Sequence, residues 1–426
     1  MAELTWKGKG AARKVRAATL ITEERHGGAS EWHDRLVLGE AERVLPALSK
    51  DVAGQVALVY IDPPFDTGGR FDYQAAVPGD GPRTRIAIPA YADARGLDAW
   101  LAWFSGLAAD LHALLAVGGS LYVHLDAHAA HYAKIVLDEV FGQGAFQREI
   151  VWRIGWISGF KSRARSWIRN HDTILFYAKG GRPATFHKEY VPYPEGYVRR
   201  DGAPPTGRGY PVDDVWNGSE IDRLDSIQIM SFAGEKVGYP TQKNEALVAR
   251  IIRASSNPGD LVLDCCSGSG TTAAVASKLG RRWIACDAAP IAIHVGRRRL
   301  LGLARHRPFV VERDARVRVD EGGRSLDADV IASSRGATVT LRSYVLPRHP
   351  ALAGRPWAHS LEGYCIDWSS DGRAFNAGSS VWRGRRGELA CTAEHRFDRG
   401  GRHRVRVRAY DVLGGSATCA RSVAIE

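Results

Sequence analysis

The chain lacks long apolar runs. No stretch of its 426 residues approaches the roughly 20 consecutive apolar residues that a membrane-spanning helix needs. The basic N-terminal stretch, residues 1–20, has no apolar core of the length found in signal peptides. We therefore expect a protein with no membrane partner, and the cytoplasm is the predicted compartment.

Paired cysteines and a phosphate-binding lysine motif are also missing. The sequence has no Cys-x-x-Cys pair and no cysteine–histidine spacing typical of zinc, so no metal is expected. Its six cysteines are predicted to be small packing residues of a reducing compartment: Cys265, Cys266, Cys286, Cys365, Cys391 and Cys419. The absence of Gly-Lys-Ser/Thr disfavours a P-loop that would cradle phosphates.

Positive charge, in contrast, is in excess. The chain has 58 Lys and Arg against 47 Asp and Glu, which gives a formal net charge of +11 and a pI near 9.4. Such a balance favours a polyanionic partner, most often nucleic acid, although an arginine-rich composition can arise without one. With 45% apolar and 25% charged residues, the composition is that of a folded globular protein.

Predicted strands and helices alternate along the first three hundred or so residues. Buried strands are expected at 56–61, 120–126, 149–154, 172–178, 261–264 and 282–287, and helices at 96–119, 131–142, 244–256 and 271–280. The alternation predicts an α/β fold with a parallel sheet covered on both faces. Residues 181–240 lose this periodicity, so an irregular insert is predicted there.

Beyond about residue 307 the pattern changes to short alternating strands. They are expected at 311–320, 337–346, 388–397, 403–412 and 420–426, separated by Gly, Asp and Ser clusters. This texture is typical of an antiparallel β-sandwich. We therefore predict two domains, residues 1–306 and residues 307–426.

The stretch LVYIDPPFDTGG, residues 58–69, ends an apolar strand on an aspartate, two prolines and an aromatic residue. Pro63 and Pro64 donate no backbone hydrogen bond, so they end sheet pairing and stiffen the chain. The carboxylate of Asp62 and the ring of Phe65 are then held at the end of a strand. Taken alone, the tetrapeptide also suits an ordinary strand-ending turn.

A second stretch, LDCCSGSGTTAAVASKLGRRWIACD, residues 263–287, has the pattern of a strand, a glycine-rich turn, a helix and a strand. Gly268 and Gly270 lack a Cβ atom, which lets the backbone pass close to a ligand. Asp287 ends the following strand, where its carboxylate could accept hydrogen bonds from both hydroxyls of a ribose. The pattern predicts an adenosine-containing ligand, and a dinucleotide satisfies it as well.

Together, DPPF after an apolar strand and DxxxGSGTT resemble the motifs of the amino-methyltransferases that modify adenine N6 or cytosine N4 in DNA. TQKN, residues 241–244, precedes the glycine-rich turn, an order similar to the β arrangement of that family, which includes restriction-modification subunits and stand-alone adenine methylases. The resemblance covers roughly residues 33–300. It implies a Rossmann-like domain that uses S-adenosylmethionine, with target recognition in about residues 181–240.

The resemblance also implies roles for the matching residues. The catalytic motif is Asp62, Pro63, Pro64 and Phe65. Because the lone pair of the target amine is delocalised into the base, the Asp62 carboxylate and the Pro63 carbonyl would hold the amine protons while Phe65 stacks on the extruded base. Cofactor contacts are implied for Asp264, Gly268, Ser269, Gly270, Thr271, Asp287, Gln242 and Lys243.

Two departures from the family pattern stand near these residues. Asn244 replaces the usual proline of the TQKP motif, which we expect to weaken the start of the following helix slightly. Cys265 and Cys266 stand where Pro and Phe are common, so the adenine-side wall of the cofactor site is expected to differ.

Basic and aromatic residues alternate within residues 152–172. Trp152, Trp156, Phe160 and Trp167 are interleaved with five predicted DNA-binding cations, Arg153, Lys161, Arg163, Arg165 and Arg169. This pattern suits phosphate binding and stacking beside a flipped base, and the alternative is a solvated loop with core aromatics. Double-stranded DNA is the expected partner. The resemblance also allows a homodimer and a separate restriction subunit, since this sequence carries no helicase or nuclease motif.

Residues 395–425 are similar to the last strands of a PKD-type, immunoglobulin-like sandwich. The complete expectation is an α/β, Rossmann-like methyltransferase domain followed by such a sandwich. Adenine N6 is favoured because the catalytic motif begins with Asp rather than the Ser frequent in cytosine N4 enzymes. Three alternatives stay open: a cytosine N4 enzyme, a non-catalytic nucleic-acid-binding subunit and, from the glycine pattern alone, an NAD-dependent oxidoreductase. RNA is also open as a substrate.

Overall fold

The computed structural model describes residues 3–10, 15–77, 84–155, 163, 165–217, 235–318, 322–384 and 388–426. No helix within these ranges has the length and apolar character needed to cross a membrane. Its α-helices are α1 (Ala41–Val52), α2 (Leu97–Leu114), α3 (Ala130–Phe141), α4 (Glu245–Ser255), α5 (Thr271–Lys278) and α6 (Pro290–Leu301). Short 3₁₀ turns occur at Gln143–Ala145, Pro350–Leu352 and Trp357–Ser360.

The strands fall into two series along the chain. The first series is β1 (Leu20–His26), β2 (Asp34–Leu38), β3 (Val56–Ile61), β4 (Gly69–Ala76), β5 (Arg85–Asp93), β6 (Leu115–Leu125), β7 (Phe146–Arg153), β8 (His171–Ala178), β9 (Tyr190–Val191), β10 (Tyr210–Pro211), β11 (Val215–Trp216), β12 (Leu261–Asp264), β13 (Arg282–Asp287) and β14 (Phe309–Asp314). The second is β15 (Ser325–Ser333), β16 (Gly336–Val345), β17 (Leu361–Asp367), β18 (Phe375–Ala377), β19 (Ser379–Trp382), β20 (Thr392–Arg396), β21 (Gly401–Asp411) and β22 (Ser416–Ile425).

Eleven of these strands form one large sheet in the order β11-β7-β8-β6-β3-β12-β13-β2-β14-β1-β18. The central strands β6, β3, β12, β13, β2 and β14 are parallel. However, β8 is antiparallel to both β6 and β7, and β1 is antiparallel to β14. The expectation of a parallel sheet is therefore wrong, and the sheet is mixed. The consecutive strands β7 and β8 pair directly, which requires the antiparallel direction unless a crossover intervenes.

Both faces of the large sheet are covered by helices. Successive residues of a strand point to opposite faces. Val59 and Ile61 of β3 pack into the apolar cluster that contains α1, α2 and α3, whereas Leu58 and Tyr60 pack into the cluster that contains residues of α4, α5 and α6. This two-sided burial explains why β3 is apolar at nearly every position.

The predicted helix over residues 96–119 ends early. The helix α2 stops at Leu114, and β6 begins at Leu115. A Cβ atom on Gly119 would lie 2.9 Å from the carbonyl oxygen of Val56. Gly119 thus lets this segment approach β3 closely and join the sheet. The hairpin of β4 and β5, the strands β1 and β2, and the helices α1 and α6 were not predicted.

The large sheet also continues past residue 306. β14 pairs with β2 and β1, so the predicted boundary at 306/307 separates a strand from its own sheet. An alternating pattern of apolar residues does not reveal which sheet a strand will join. After β14, two antiparallel sheets, β15-β16-β20 and β19-β17-β21-β22, share one apolar cluster, while β18 pairs with β1 at the edge of the large sheet.

The predicted insert over residues 181–240 is irregular where it is described. Its parts 181–217 and 235–240 contain only the two-residue strands β9, β10 and β11. The last of these pairs with β7 at the outer edge of the large sheet.

Candidate active site

Three aspartates meet at one edge of the large sheet. The parallel strands β3, β12 and β13 are neighbours, so their carboxyl ends lie together. Asp62 follows β3, and Asp264 and Asp287 end β12 and β13. All three line one cavity of about 750 Å³, a size suited to a cofactor and part of a substrate. Ligands of open α/β sheets bind at such an edge, where the strand order reverses.

The DPPF turn is held rigidly at this cavity. The indole nitrogen of Trp100 donates a 2.7 Å hydrogen bond to the carbonyl oxygen of Pro64. Asp66 has a positive φ of 60°, and its backbone N–H donates to Oδ1 of Asp93 at 2.7 Å. The other oxygen of Asp93 accepts from both the N–H and the hydroxyl of Thr67. Sequence reasoning missed Trp100 and Asp93, which act from α2 and β5.

The two oxygens of the Asp62 carboxylate have different surroundings. Oδ2 forms an ion pair with Nζ of Lys243. Oδ1 is buried and accepts no hydrogen bond from the described residues. The ammonium of Lys243 also lies 5.5 Å from the centre of the Phe65 ring. The structure thus places Lys243, expected beside the cofactor, against the predicted catalytic residues Asp62 and Phe65.

Asp264 organises the start of the glycine-rich turn. Its oxygens accept from the backbone N–H of Cys266 at 3.0 Å and from the hydroxyl of Thr272 at 2.5 Å. Burial raises the pKa of the Asp264 carboxyl group to about 7 despite these hydrogen bonds. Cys265 and Cys266 are free thiols that also line the cavity.

Asp287 holds the same turn from the next strand. Its Oδ2 accepts from the backbone N–H of Gly268 at 2.8 Å, and its Oδ1 accepts from that of Ala289 at 2.9 Å. Burial raises the pKa of Asp287 to about 6. A carboxylate oxygen can accept more than one hydrogen bond, so this side chain can still accept from a ligand in the cavity.

The two glycines of the turn allow different neighbours to approach closely. Gly268 lines the cavity with φ +46°, and a Cβ atom there would lie 3.1 Å from the ring of Tyr239. Gly270, with φ +73°, faces Gly296 of α6, whose Cα would lie 3.1 Å from an added Cβ. Gly270 therefore permits close packing of α5 on α6, and its predicted contact with the cofactor stays a prediction.

Ser269 and Thr271 line the cavity but are held from behind by a buried arginine that sequence reasoning missed. Nη1 of Arg299 donates to the hydroxyl of Thr271 at 2.9 Å and to the carbonyl oxygen of Ser269 at 3.3 Å. Its Nη2 donates to Glu245 at 2.7 Å. Arg299 thus fixes the turn to the starts of α4 and α5.

The TQKN segment lines the cavity beside the glycine-rich turn. The amide of Gln242 lines the cavity and ties the segment together, accepting from the N–H of Val237 at 3.0 Å and donating to the carbonyl of Glu235 at 2.9 Å. The side chain of Asn244 caps α4 by accepting from the N–H of Ala246 at 2.6 Å. The expectation that Asn244 weakens this helix start is wrong, because asparagine supplies the capping oxygen that proline lacks.

A buried polar chain runs from β3 to the basic stretch. His124 joins the hydroxyl of Tyr60 at 3.1 Å to the carboxylate of Asp172 at 3.2 Å. Burial would raise the pKa of Asp172, but its hydrogen bond with His124 and the charges of His124 and Lys243 hold that pKa below its usual range. Asp172 also pairs with Arg169, which reaches Asp126 at 3.1 Å.

The predicted DNA-binding cations have unequal positions. Arg169 lines the cavity, while Arg153, Arg163 and Arg165 are exposed to solvent. Lys161, with Trp156 and Phe160, lies outside the described residues.

The aromatic residues of the stretch divide in the same way. Trp152 is buried against His124, with 5.3 Å between the ring centres, and also lines the cavity. Trp167, in contrast, is 98% exposed.

An aromatic wall that the sequence did not predict closes the cavity. Phe71 of β4 stacks on Tyr91 of β5 with ring centres 4.8 Å apart. The hydroxyl of Tyr91 lies 3.0 Å from that of Thr241. Both rings line the cavity together with Tyr239, so the β4–β5 hairpin offers apolar faces to a planar ligand.

The chain matches a family model described as DNA methylase over residues 56–295. The DNA adenine methyltransferase YhdJ of Escherichia coli (strain K12) is 29% identical over 274 residues, 60% of this chain and 80% of that protein. The type II methyltransferase M1.MboII of Moraxella bovis is 37% identical over 155 residues, 33% of this chain and 57% of that protein. The solved M1.HpyAVI–SAM complex is similar at 19% identity and a TM-score of 0.42, covering 63% of this chain and 99% of that one.

Proposed function

We propose, since this chain belongs to the DNA methylase family, that it transfers a methyl group to the exocyclic N6 amine of an adenine flipped out of double-stranded DNA. S-adenosylmethionine is the cofactor and supplies an electrophilic methyl group on its sulfonium. The observation that carries the proposal is the single cavity that Asp62 and Phe65 share with the glycine-rich turn and Asp287.

Asp62 is proposed to hold the target amine. An exocyclic amine is a weak nucleophile, and acceptors that hold its protons favour the change to a pyramidal nitrogen during attack. Oδ1 of Asp62 is buried and accepts no hydrogen bond from the described part of the chain, and a buried acceptor without a donor is costly. An N–H of the target base would satisfy it, while Phe65 stacks on the base.

The cofactor is proposed to lie along the ends of β12 and β13. Asp287 would accept hydrogen bonds from ribose hydroxyls, and the cavity-lining backbone of Gly268 and Ser269 would lie against the adenosine or methionine portions. Thr271 and Gln242 also line this wall, and Asp264 orders the turn through Cys266 and Thr272. These residues fit an adenosine-containing ligand, and the absence of Gly-Lys-Ser/Thr from the turn disfavours a P-loop nucleotide site.

The basic stretch is proposed to bind the DNA backbone. Arg153, Arg163 and Arg165 are free of ion pairs to described residues, so their charges are available to phosphates. Arg169 links this surface to the cavity through Asp126 and Asp172. We propose that Lys161 extends the same surface.

Adenine is proposed over cytosine because the catalytic motif begins with Asp62, and YhdJ, named an adenine methyltransferase, is similar over 60% of this chain. A cytosine N4 enzyme is the alternative, because the family includes both activities and the acceptor chemistry serves either amine. We propose that the protein acts in the cytoplasm, with any restriction subunit being a separate chain.

The domain organisation is part of the proposal. A catalytic domain is proposed for residues 1–306, extended by β14, with target recognition in about residues 181–240. The residues from β15 onward would be a PKD-type, immunoglobulin-like module in place of the predicted 307–426. Two buried carboxylates support firm packing of this module: Glu24 bonds Arg408 at 2.9 Å, and Glu362 bonds His294 at 2.7 Å. A homodimer is compatible with this arrangement.

The test is transfer of labelled methyl groups from S-adenosylmethionine to unmethylated DNA, followed by digestion and mass spectrometry of the nucleosides. The proposal expects labelled N6-methyladenine from the wild-type protein and none from the Asp62→Asn variant. Labelled N4-methylcytosine would establish the alternative. Labelled nucleosides from RNA but not from DNA would contradict the proposed substrate.

A further inference from the structure

Lys243 lies at the centre of the catalytic side of the cavity. Its Nζ pairs with Oδ2 of Asp62, and it stands 5.5 Å from the centre of the Phe65 ring. The side chains of Lys243 and Asp62 are only 12% and 17% exposed. Such a pair is largely removed from solvent, so breaking it would leave a desolvated charge without a partner.

The backbone of Lys243 is fixed on both sides. Its carbonyl oxygen accepts from the hydroxyl of Thr271 at 3.3 Å, and Thr271 is held by Arg299. Asn244, the next residue, caps α4, and Gln242, the residue before, is tied to Val237. A long and flexible side chain is therefore presented to Asp62 from a rigid base, which lowers the entropy lost in keeping the pair together.

Because of the ion pair, the two oxygens of the Asp62 carboxylate have different roles. Oδ2 is engaged by Lys243, whereas Oδ1 is buried and accepts from none of the described groups. A carboxylate held at one oxygen cannot rotate freely, so its other oxygen keeps a fixed direction. We propose that Lys243 is a positioning residue that orients Asp62 for the target amine and is not a ligand of the cofactor. This inference rests on the function proposed above.

A role in cofactor binding would require this ammonium to leave Asp62. The carboxylate of a bound methionine moiety could attract it, but Asp62 would then lose its counter-ion inside the cavity. Lys243 also acts electrostatically on Asp172, so two carboxylates of the cavity attract its ammonium. Both observations favour Lys243 as a permanent partner of Asp62.

The charges around Asp62 agree with this role. The ionisable groups that act on or with Asp62 are Lys243, Tyr60, Tyr91 and Asp264. Of these described groups, Lys243 supplies the positive charge, while Arg169 is bonded to Asp126 and Asp172. Without Lys243, the Asp62 carboxylate therefore loses its positively charged partner among the described residues of the cavity.

The experiment compares Lys243→Gln and Lys243→Arg with the wild-type protein. Three quantities are measured: kcat, KM for DNA, and the Kd of S-adenosylmethionine by calorimetry. For Lys243→Gln we expect kcat to fall about 100-fold, the loss typical of a misplaced reacting group. The Kd of the cofactor should change less than about threefold. Lys243→Arg keeps the positive charge and should restore part of kcat.

The matched control is Lys134→Gln, which breaks the ion pair with Asp138 in α3 and should keep wild-type kinetics. Retained cofactor binding shows that the Lys243 variants are folded. A cofactor Kd weakened tenfold or more with kcat at saturation unchanged would overturn the proposal in favour of a cofactor ligand. Unchanged kinetics in Lys243→Gln would also overturn it. Absence of transfer by the wild-type protein on both DNA and RNA would instead count against the proposed function.

Discussion

Gly268 and Asp287 are joined by a 2.8 Å hydrogen bond from the backbone N–H of the glycine to the aspartate side chain. This bond links the turn after β12 to the end of β13, so the carboxylate that faces the cavity also shapes the turn beside it. Cofactor binding and the charge of Asp287 should therefore be coupled.

We predict that the affinity for S-adenosylmethionine falls as the pH drops through 6. Burial raises the pKa of Asp287 to about 6, and ribose hydroxyls donate more strongly to the ionised carboxylate. Below this pKa the ligand must first displace a proton, so the Kd should rise about tenfold per pH unit. Calorimetry between pH 5 and 8 measures this dependence.

The variant Asp287→Asn is the control for that prediction. It should bind the cofactor about 10- to 100-fold more weakly at pH 8, the loss expected for hydrogen bonds to a charged group. Its affinity should no longer respond to pH near 6. A variant that kept the wild-type pH dependence would assign the titration to another group, such as Asp264, whose pKa is raised to about 7.

Asn244→Ala should destabilise the protein through loss of the cap of α4. The side chain accepts from the N–H groups of Ala246 and Leu247, and loss of such a cap costs about 1 kcal/mol. Urea unfolding of the cofactor-free protein measures this loss. Asn244→Ser keeps a capping oxygen and should lie close to wild type. Equal stability of Asn244→Ala and wild type would show that the cap contributes nothing.

Trp167→Ala should weaken DNA binding without loss of stability. The indole is 98% exposed, so the fold gains little from it, whereas stacking of a base on an aromatic side chain contributes about 1–3 kcal/mol. We expect DNA affinity to fall about 5- to 100-fold in a fluorescence anisotropy titration. Tyr132→Ala, which removes an exposed aromatic ring on α3, should bind DNA normally.

A mismatch at the target base refines that prediction. Unpairing a mismatched base costs less energy, so DNA with such a target should restore part of the affinity of Trp167→Ala if the indole assists base flipping. Equal loss on matched and mismatched DNA would limit Trp167 to backbone contacts. Full affinity of the variant on both DNAs would contradict any contact with DNA.

The sequence predicted the main strands because apolar runs ending in Asp62, Asp264 and Asp287 are local signals. The parallel arrangement of β3, β12 and β13 then brings the three carboxylates to one edge. The antiparallel direction of β8 was not predictable, because a buried strand is apolar whether it runs parallel or antiparallel to its neighbours.

Contacts between distant residues were also beyond sequence reasoning. Lys243 reaches Asp62 across 181 positions, and no local pattern indicates that pair. Arg299 lies in a run of three arginines on α6, and nothing in that run distinguishes it from its neighbours, yet it is buried and bonded to Thr271. Asn244 was compared only with the proline of the family motif. An Asn before a helix with periodic apolar residues is itself a capping signal, and this signal was available in the sequence.

The central claim, that Asp62 serves methylation of adenine in DNA, is tested most directly in cells. DNA from a methylation-deficient host that expresses the wild-type protein is sequenced by a single-molecule method that detects modified bases, in parallel with a host that expresses Asp62→Ala. Calorimetry with S-adenosylmethionine first establishes that the variant is folded and binds the cofactor. We predict N6-methyladenine within one sequence motif for the wild-type protein and none for the variant. The same adenine mark in both strains would contradict the role of Asp62, and a cytosine mark in the wild-type strain would contradict the choice of base.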